Sequence, residues 1–337
     1  MMTISVVIPA RNASLYIVEC LDSIFSQSYL PIEVIVIDDA STDDTLAILK
    51  AYKKKKGLLK IIENNQNIGI AKSTNLGIEC AIGNMIALID ADDVAINDRF
   101  KTQIQLFNEN AHIDVCGTWL CFFDTEKTYQ NIWRTPINDE DIKAQLLFHY
   151  PMANPSLMVK KKVFENMNQW YDNVFLGCAD YEMCTRLAES YLLRNIPLIL
   201  QKKREHETQI TKSNKIIDDL HIIYKQNLNK LQIPPTASEL KIHHEVTRSP
   251  SEAVTLAYLH SIDAWLTKIY RANTIHKAYP ELELNNYLKE IWLKNMAGYT
   301  RLGVGFFKLF ATSILSEYKS YSRWQRIKFW LKCCFRK

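Results

Sequence analysis

The stretch MIALIDADDV, Met85 to Val94, decides how this chain of 337 residues is read. Five of its first six residues are apolar, the pattern of a strand buried on both faces, yet it ends in Asp90, Asp92 and Asp93. Like charges this close repel, and carboxylates at a buried strand end lose their water. Such a cluster persists only with cations, hydrogen-bond donors or bulk solvent around it. A metal site, a capped turn and an exposed loop are the three options.

Working outward from this stretch, short β-branched runs alternate with helical patterns: ISVVIP, ASLYIVECLDSIFSQ, EVIVID, TLAILKAYKKKK, LKIIEN, IAKSTNLGIECAI, MIALID and DRFKTQIQLFNEN. Each strand is apolar without alternation, so the series predicts four strand–helix units in an α/β fold with a mostly parallel sheet covered on both faces. Ser41 with Asp44 reads as a helix start. After residue 112 come aromatic-rich strands (DVCGTWLCFFD, NPSLMVKK), a helix from about Asp180 and a strand at IPLILQKK. Beyond REHETQITKSNK the chain is mainly helical, which places a boundary near residue 212: 1–212, then 213–337.

Composition bounds the rest. With 47% hydrophobic and 23% charged residues the chain is globular. The overall charge is +4, but Lys319 to Lys337 holds seven basic residues and no acid, leaving −3 for the remainder. Eight cysteines show no zinc spacing and sit in apolar segments, which reads as buried thiols in a reducing compartment. Pro9 and Arg11 interrupt any signal-peptide pattern, and no run of about 18 apolar residues occurs, so the expectation is a cytoplasmic protein that does not span a membrane.

In open parallel sheets, ligands sit outside the carboxyl ends of the strands. EVIVIDD delivers Asp38 and Asp39 there, and MIALIDADD delivers the triple. Hard oxygen donors of this kind suit Mg²⁺ or Mn²⁺, ions that also hold substrate phosphates, although a strand-end turn or helix cap explains an isolated pair equally well. The loop PARNAS after the first strand excludes a G-x-G-x-x-G dinucleotide site, and no G-x-x-x-x-G-K-[ST] occurs.

VVIPARN, EVIVIDDASTDDT, NIGIAKSTNLGI, LIDADD, and CADYEMCTRLAE followed by REHETQIT resemble, in order and spacing, the family 2 glycosyltransferases with a GT-A fold, over about residues 3 to 212. The resemblance implies an inverting transferase that takes a hexose-type sugar from a nucleotide diphosphate, most often UDP, in a reaction supported by Mn²⁺ or Mg²⁺. By motif, Pro9 and Arg11 line the base pocket, Asp39 accepts a hydrogen bond from uracil, and Lys72 contacts base or phosphate. Asp90 and Asp92 form the D-x-D pair, with Asp92 and Asp93 shared between ribose and metal, and His206 is a metal or phosphate ligand. Asp180 is the general base. Where the family has Glu-Asp this chain has Ala179-Asp180, which removes a carboxylate that helps to hold the acceptor and keeps Glu182 as an alternative base.

The C-terminal segment SYSRWQRIKFWLKCCFRK places Trp324, Ile327, Leu331, Cys334 and Phe335 on one face of a basic helix. This is the pattern of a membrane-surface helix, the alternative being a terminal helix packed on the domain. Nothing else in the chain suits nucleic acid. The basic helix suggests a protein at the inner membrane face, and what members of the resembled family commonly do implies a transferase acting on a lipid-linked saccharide in bacterial surface polysaccharide assembly. The rivals are a sugar-nucleotide nucleotidyltransferase and a non-catalytic sugar-nucleotide or partner-binding protein.

Overall fold

The computed structural model describes residues 1–337 apart from 125, 127, 168, 169, 176, 207–214, 249–253 and 336–337. The boundary expected near residue 212 falls outside the described residues. The chain divides into two compact units, Met1–Ile142 with Tyr150–Asp219, and Lys143–His149 with Leu220–Lys337.

The first unit opens with β1 (Ile4–Ala10), α1 (Ile17–Phe25), β2 (Glu33–Asp38), α2 (Thr45–Lys53), β3 (Leu59–Glu63), α3 (Ile70–Cys80), β4 (Met85–Leu88), β5 (Val94–Ala95) and α4 (Arg99–Glu109). It continues with β6 (Val115–Phe123), β7 (Tyr129–Trp133), α5 (Asp139–Gln145), β8 (Met158–Lys160), α6 (Lys161–Glu165), α7 (Ala179–Ser190) and β9 (Leu193–Arg204). Among the described residues these strands form one sheet in the order β3-β2-β1-β4-β8-β6-β9-β5, with β7 on β6. The first four strands are parallel, as their unbroken apolar runs require. Beyond β4 the sheet is mixed, because β8 runs antiparallel to both β4 and β6 while β6 and β9 run parallel.

Both faces of the parallel half are covered. Ile4, Val6, Ile8, Val34 and Val36 share a buried core with Ile17, Leu21 and Ile24 of α1, Leu49 of α2 and Phe100, Ile104 and Phe107 of α4. On the other face α3 approaches so closely that a Cβ on Gly77 would stand 2.5 Å from both Val7 and Ile37 side-chain carbons. The start of α2 differs from the Ser41–Asp44 reading. Asp43 is the residue whose carboxylate accepts from the Thr45 and Ser14 N–H groups, while Ser41 Oγ accepts from the Asn12 N–H. The acid that faces the neighbouring loop, rather than the one nearest the helix, does the capping.

One side chain ties the two halves of the sheet. Arg99, the first residue of α4, is fully buried. Its guanidinium donates to the carbonyls of Leu88 (2.8 Å), Pro155 (2.8 Å) and Leu157 (3.2 Å), to Gln201 Oε1 (2.7 Å) and to Gln103 Oε1 (3.2 Å). All five donor positions of the side chain are used.

The second unit is helical: α8 (Lys215–Asn229, which begins in the first unit), α9 (Ala237–Glu245), α10 (Leu256–His276), α11 (Glu281–Met296), α12 (Gly303–Thr312) and α13 (Arg323–Phe335). At its core the buried His243 accepts at Nδ1 from Trp265 Nε1 (3.2 Å), which leaves Nε2 to donate to the Leu147 carbonyl (2.9 Å). Burial holds this imidazole down at about 4 and therefore neutral. Among the described residues no helix is long and apolar enough to cross a membrane. Six of the eight cysteines are buried, as their apolar surroundings predict, whereas Cys80 is exposed and Cys334 half-buried.

Replacing Arg99 by Met would take this donor from three backbone carbonyls and two glutamine oxygens. Chemical denaturation should record a loss of about 3–5 kcal/mol, the usual result of breaking a buried charged network. A loss below about 1 kcal/mol would mean that water reaches these groups and that the two halves do not depend on this contact.

Candidate active site

The acidic turn leaves β4 immediately beyond Leu88, one of the carbonyls that Arg99 holds. The Asp93 N–H donates to the Asp90 carbonyl (3.1 Å), closing a tight turn that directs three carboxylates to one place. The short β5 then pairs antiparallel with β9, Val94 opposite Lys202 and Ala95 opposite Gln201. This register carries Lys203, Arg204 and His206 past the turn, and each meets it.

Lys203 Nζ lies 3.2 Å from Asp90 Oδ2. His206 Nε2 lies 2.8 Å from Asp92 Oδ2. The Arg204 N–H donates to Asp93 Oδ1 (3.0 Å), while its side chain donates to the Asp92 carbonyl (3.0 Å) and to Glu19 Oε2 (2.7 Å). The same guanidinium lies between the rings of Tyr16 and Phe123, 4.8 and 4.3 Å from their centroids, and Tyr16 in turn stacks on His206 at 5.2 Å. What neutralises the cluster is thus the end of β9. Burial still pushes Asp90 and Asp93 upward, with the neighbouring acids adding to it. Burial alone would lower Lys203, but Asp90, Asp93 and Asp92 together hold it above the ordinary lysine value.

Asp180 is the second residue of α7, and its Oδ1 accepts from the Tyr181 N–H (2.8 Å). Burial raises its carboxyl to about 6, the Asp90 charge adds to this, and the Tyr181 N–H and Lys203 oppose it. Glu182, the alternative base, is buried and forms a two-pronged pair with Arg186, at 2.7 and 2.8 Å.

On the other side of β4, Pro9 and Asp39 occupy the ends of β1 and β2, the central and neighbouring parallel strands. Asp39 is buried, and its carboxylate organises the next loop. Oδ1 accepts from Asn64 Nδ2 (2.9 Å) and the Ile68 N–H (2.8 Å), and Oδ2 from the Gly69 N–H (2.9 Å). Gly69 has φ = 90°, which suits a residue without Cβ, and it begins α3, whose first turn carries the exposed Lys72. Asp38 is buried beside it, Oδ2 accepting from the Ser41 N–H (3.3 Å). Arg11 is exposed just past β1. Asn12 and Ala40 both have positive φ (50° and 53°), and Asn12 Oδ1 accepts from the Thr42 N–H (2.8 Å), lacing the two loops together. The structure thus gathers Pro9, Arg11, Asp39, Asp90, Asp92 and Asp93 along the carboxyl ends of three adjacent parallel strands.

Residues 5–208 match the family described as Glycosyl transferase family 2. The chain belongs to that family. It is similar to an uncharacterised glycosyltransferase of Haemophilus influenzae, 31% identical over 214 residues, which are 61% of this chain and 66% of that protein. It is similar as well to one of Methanocaldococcus jannaschii, 28% identical over 205 residues, 60% of this chain and 70% of that protein. The chain therefore spans a little under two thirds of the length of the first relative. In fold it is similar to residues 1–349 of S. aureus TarS, solved in complex with UDP, with a TM-score of 0.56 and 17% identity over 88% of this chain and 92% of that one. This likeness carries the GT-A fold.

Within this family 2 chain, the residues that could hold a divalent ion are limited. Asp92 Oδ2 and His206 Nε2 combine a hard oxygen with an imidazole nitrogen, a donor pair that fits Mn²⁺ or Mg²⁺. Among the described residues no group of three His, Cys, Asp or Glu stands ready to enclose a metal. An ion held here would take its remaining ligands from phosphate and water, as Mg²⁺ commonly does. Asp93 is fully buried, with Oδ1 on the Arg204 N–H and Oδ2 without a hydrogen-bond partner. Arg99, Lys203, Glu19 and Tyr16 are the site residues that motif reading missed. The run QKKREH, which ends at His206, was the available signal, since three cations at the end of a strand need acids nearby.

Proposed function

We propose that the chain is an inverting glycosyltransferase that moves a hexose-type sugar from a UDP-sugar to a hydroxyl of a saccharide acceptor. The observation that carries this reading is the acidic turn at the carboxyl end of a parallel strand, where Asp90 meets Lys203 and Asp92 meets His206; Asp180, a half-buried carboxyl raised to about 6, is the proposed base. A base near that value is ionised at neutral pH and still basic enough to receive a hydroxyl proton. In the proposed step the acceptor oxygen gives its proton to Asp180 and bonds the anomeric carbon from the face opposite the nucleotide. The bond to the β-phosphate oxygen breaks, and UDP leaves. Asp180 then returns its proton to water.

The donor is placed by the parallel half of the sheet. Pro9 and Arg11 flank the base, Asp39 retains capacity for one further donor from uracil beside its three present ones, and Asp90 and Asp92 face the ribose and diphosphate. Lys72 is proposed as a base or phosphate contact on the same edge. UDP is the favoured nucleotide because TarS, which shares the fold, was solved with it. Asp92 and His206 are the proposed metal ligands, with Asp93 supplying negative charge from beneath. A divalent ion there would stabilise the charge that develops on the leaving diphosphate. Glu182 is set aside as base because Arg186 already occupies its carboxylate.

Asp180→Asn keeps size and hydrogen bonding but cannot take the proton. Transfer should fall by about 10²- to 10⁴-fold while UDP-sugar affinity hardly changes. Asp92→Ala should instead abolish the Mn²⁺-dependent thermal stabilisation produced by UDP. Near-normal transfer by Asp180→Asn, or unchanged Mn²⁺ dependence in Asp92→Ala, would remove the respective role. A chain that binds UDP-sugars but never consumes them would be the non-catalytic binding protein.

We further infer that the acceptor is lipid-linked, as in surface polysaccharide assembly, and that α13 rests on the inner face of an anionic membrane. What supports this is that α13 has two distinct apolar faces. Phe329 packs against Phe310 of α12 at 4.6 Å between ring centroids, and Cys333 is buried. Round the helix from these, Trp324, Ile327, Trp330 and Leu331 are 80%, 39%, 43% and 42% exposed, beside the exposed Arg323, Lys328 and Lys332. The packed and membrane-facing readings of this helix therefore apply to different sides of it. The protein should bind phosphatidylglycerol vesicles and not phosphatidylcholine vesicles. Lys328→Gln with Lys332→Gln should weaken this about tenfold or more, each cation being worth roughly 1 kcal/mol at low salt. Equal binding to both vesicle types, or to neither, would contradict it.

A further inference from the structure

The helical second unit holds a cavity of about 330 Å³ for which the proposed reaction has no use. Part of its lining is a single face of α11, where Tyr287, Glu290, Ile291 and Lys294 recur at spacings of three and four. The rest is the 246–248 turn after α9, which carries Arg248, together with His149. All of these residues belong to the one unit. The volume lies at the lower end of the range for ligand sites, roughly 300–1,000 Å³, a space for one phosphorylated sugar rather than for a nucleotide sugar.

Two cations of the lining lack an acid partner. Arg248 would pass as a plain helix cap, because its Nη1 donates to the His244 carbonyl (2.7 Å) and lies 3.3 Å from both His244 Nδ1 and the Tyr224 hydroxyl. That accounts for one nitrogen. Nε and Nη2, the edge of the guanidinium that grips two oxygens of one acid group, have no partner among the described residues. Burial and the Arg248 charge bring His244 down to about 4, so it is neutral and does not cancel the guanidinium. Lys294 likewise forms no ion pair among the described residues, although Glu290 stands one turn before it on the same helix face. Both cations are exposed, so a ligand can reach them.

The remaining groups suit hydroxyls and carbon. The Tyr287 hydroxyl lies 2.8 Å from His149 Nε2, and its ring meets Phe148 edge-on at 5.8 Å, which fixes the side chain. Burial raises this phenol and the Glu290 charge adds to it, so it remains a neutral group that both donates and accepts. The exposed Glu290 accepts from hydroxyl donors and disfavours a second acid group on the ligand, and the buried Ile291 supplies an apolar surface.

We propose that this cavity binds a small sugar phosphate or polyol phosphate, with Arg248 and Lys294 on the phosphate, Tyr287 and Glu290 on hydroxyls and Ile291 against the carbon skeleton. Two cations match the charge of about −1.5 to −2 that a phosphate monoester carries at neutral pH, whereas a carboxylate would leave one of them unanswered. The site is separate from Asp180 and from the acidic turn, which belong to the first unit.

Titration calorimetry of the full chain with glucose 6-phosphate and glycerol 3-phosphate tests this, with glucose and sulfate as comparisons. At least one of the two esters should bind with a Kd of about 1 mM or below, more tightly than glucose or sulfate, and excess UDP should not displace it. Arg248→Gln and Lys294→Gln should each weaken that binding about tenfold or more, as loss of a charge-assisted hydrogen bond does, while leaving UDP affinity unchanged. Arg248→Lys should not restore it, because lysine lacks the fork. The proposal is overturned if neither ester saturates below about 10 mM, if UDP displaces the ester, or if sulfate binds as tightly, which would make this an unspecific anion contact. Ester binding unchanged in both glutamine variants would overturn it as well. If Arg248→Gln does not fold, Lys294→Gln decides by the same criterion.

Discussion

Arg99 is the contact on which the rest of this structure depends. A guanidinium buried without a carboxylate in hydrogen-bond contact is costly, and here it is kept by five acceptors drawn from β4, the 155–157 segment, α4 and β9. Burial brings its pKa down to about 10 while the carboxylates of Asp93 and Asp90 oppose the fall. Arg99 therefore does two things at once. It fixes the place where the parallel half of the sheet becomes mixed, and it sets a positive charge beneath the turn that must carry three acids.

From that point the charge balance propagates outward. Gln201, which Arg99 holds, lies opposite Ala95 in the β5–β9 ladder, and two residues later β9 delivers Lys203 to Asp90. Arg204 follows, its guanidinium enclosed by Tyr16 and Phe123 and tied to Glu19 of α1, so the turn, α1 and β9 become one unit. His206 then meets Asp92 and is stacked by Tyr16. A metal ion would join an acidic turn that the protein has already made tolerable, which accounts for a donor pair of two side chains in place of a closed cage.

Much of this was legible in the sequence because it is local. The unbroken apolar runs of β1, β2 and β4 dictate burial on both faces, and a helix between successive strands dictates parallel pairing. Asp90 and Asp92 stand out because acids at the end of an apolar strand need a reason, and Asp180 through the CADYEMCTRLAE motif at a helix start. His206 stands out through its motif, but Lys203 does not, because it lies more than a hundred residues beyond the turn and meets it only through a two-residue ladder. Arg99 looked like the polar first residue of an amphipathic helix, and nothing local marks it as buried. The cap of α2 was assigned to Ser41 and Asp44 by spacing, but the loop from β1 recruits Ser41 and Asp43 instead, a tertiary choice. The two faces of α13 blurred together for a similar reason: period alone cannot separate an apolar side that packs from one left exposed.

The central claim is that the Asp180 carboxylate, as base, drives a single in-line displacement at the anomeric carbon of a nucleotide sugar held by the acidic turn. Its most direct test is the configuration of the product. UDP-glucose and UDP-N-acetylglucosamine are α-linked, so slow hydrolysis of whichever donor the protein accepts, followed by proton NMR before the free sugar equilibrates, reports the stereochemistry without knowledge of the natural acceptor. The account predicts that the β-anomer appears first. First appearance of the α-anomer would mean retention, and a single displacement assisted by Asp180 could not be the mechanism.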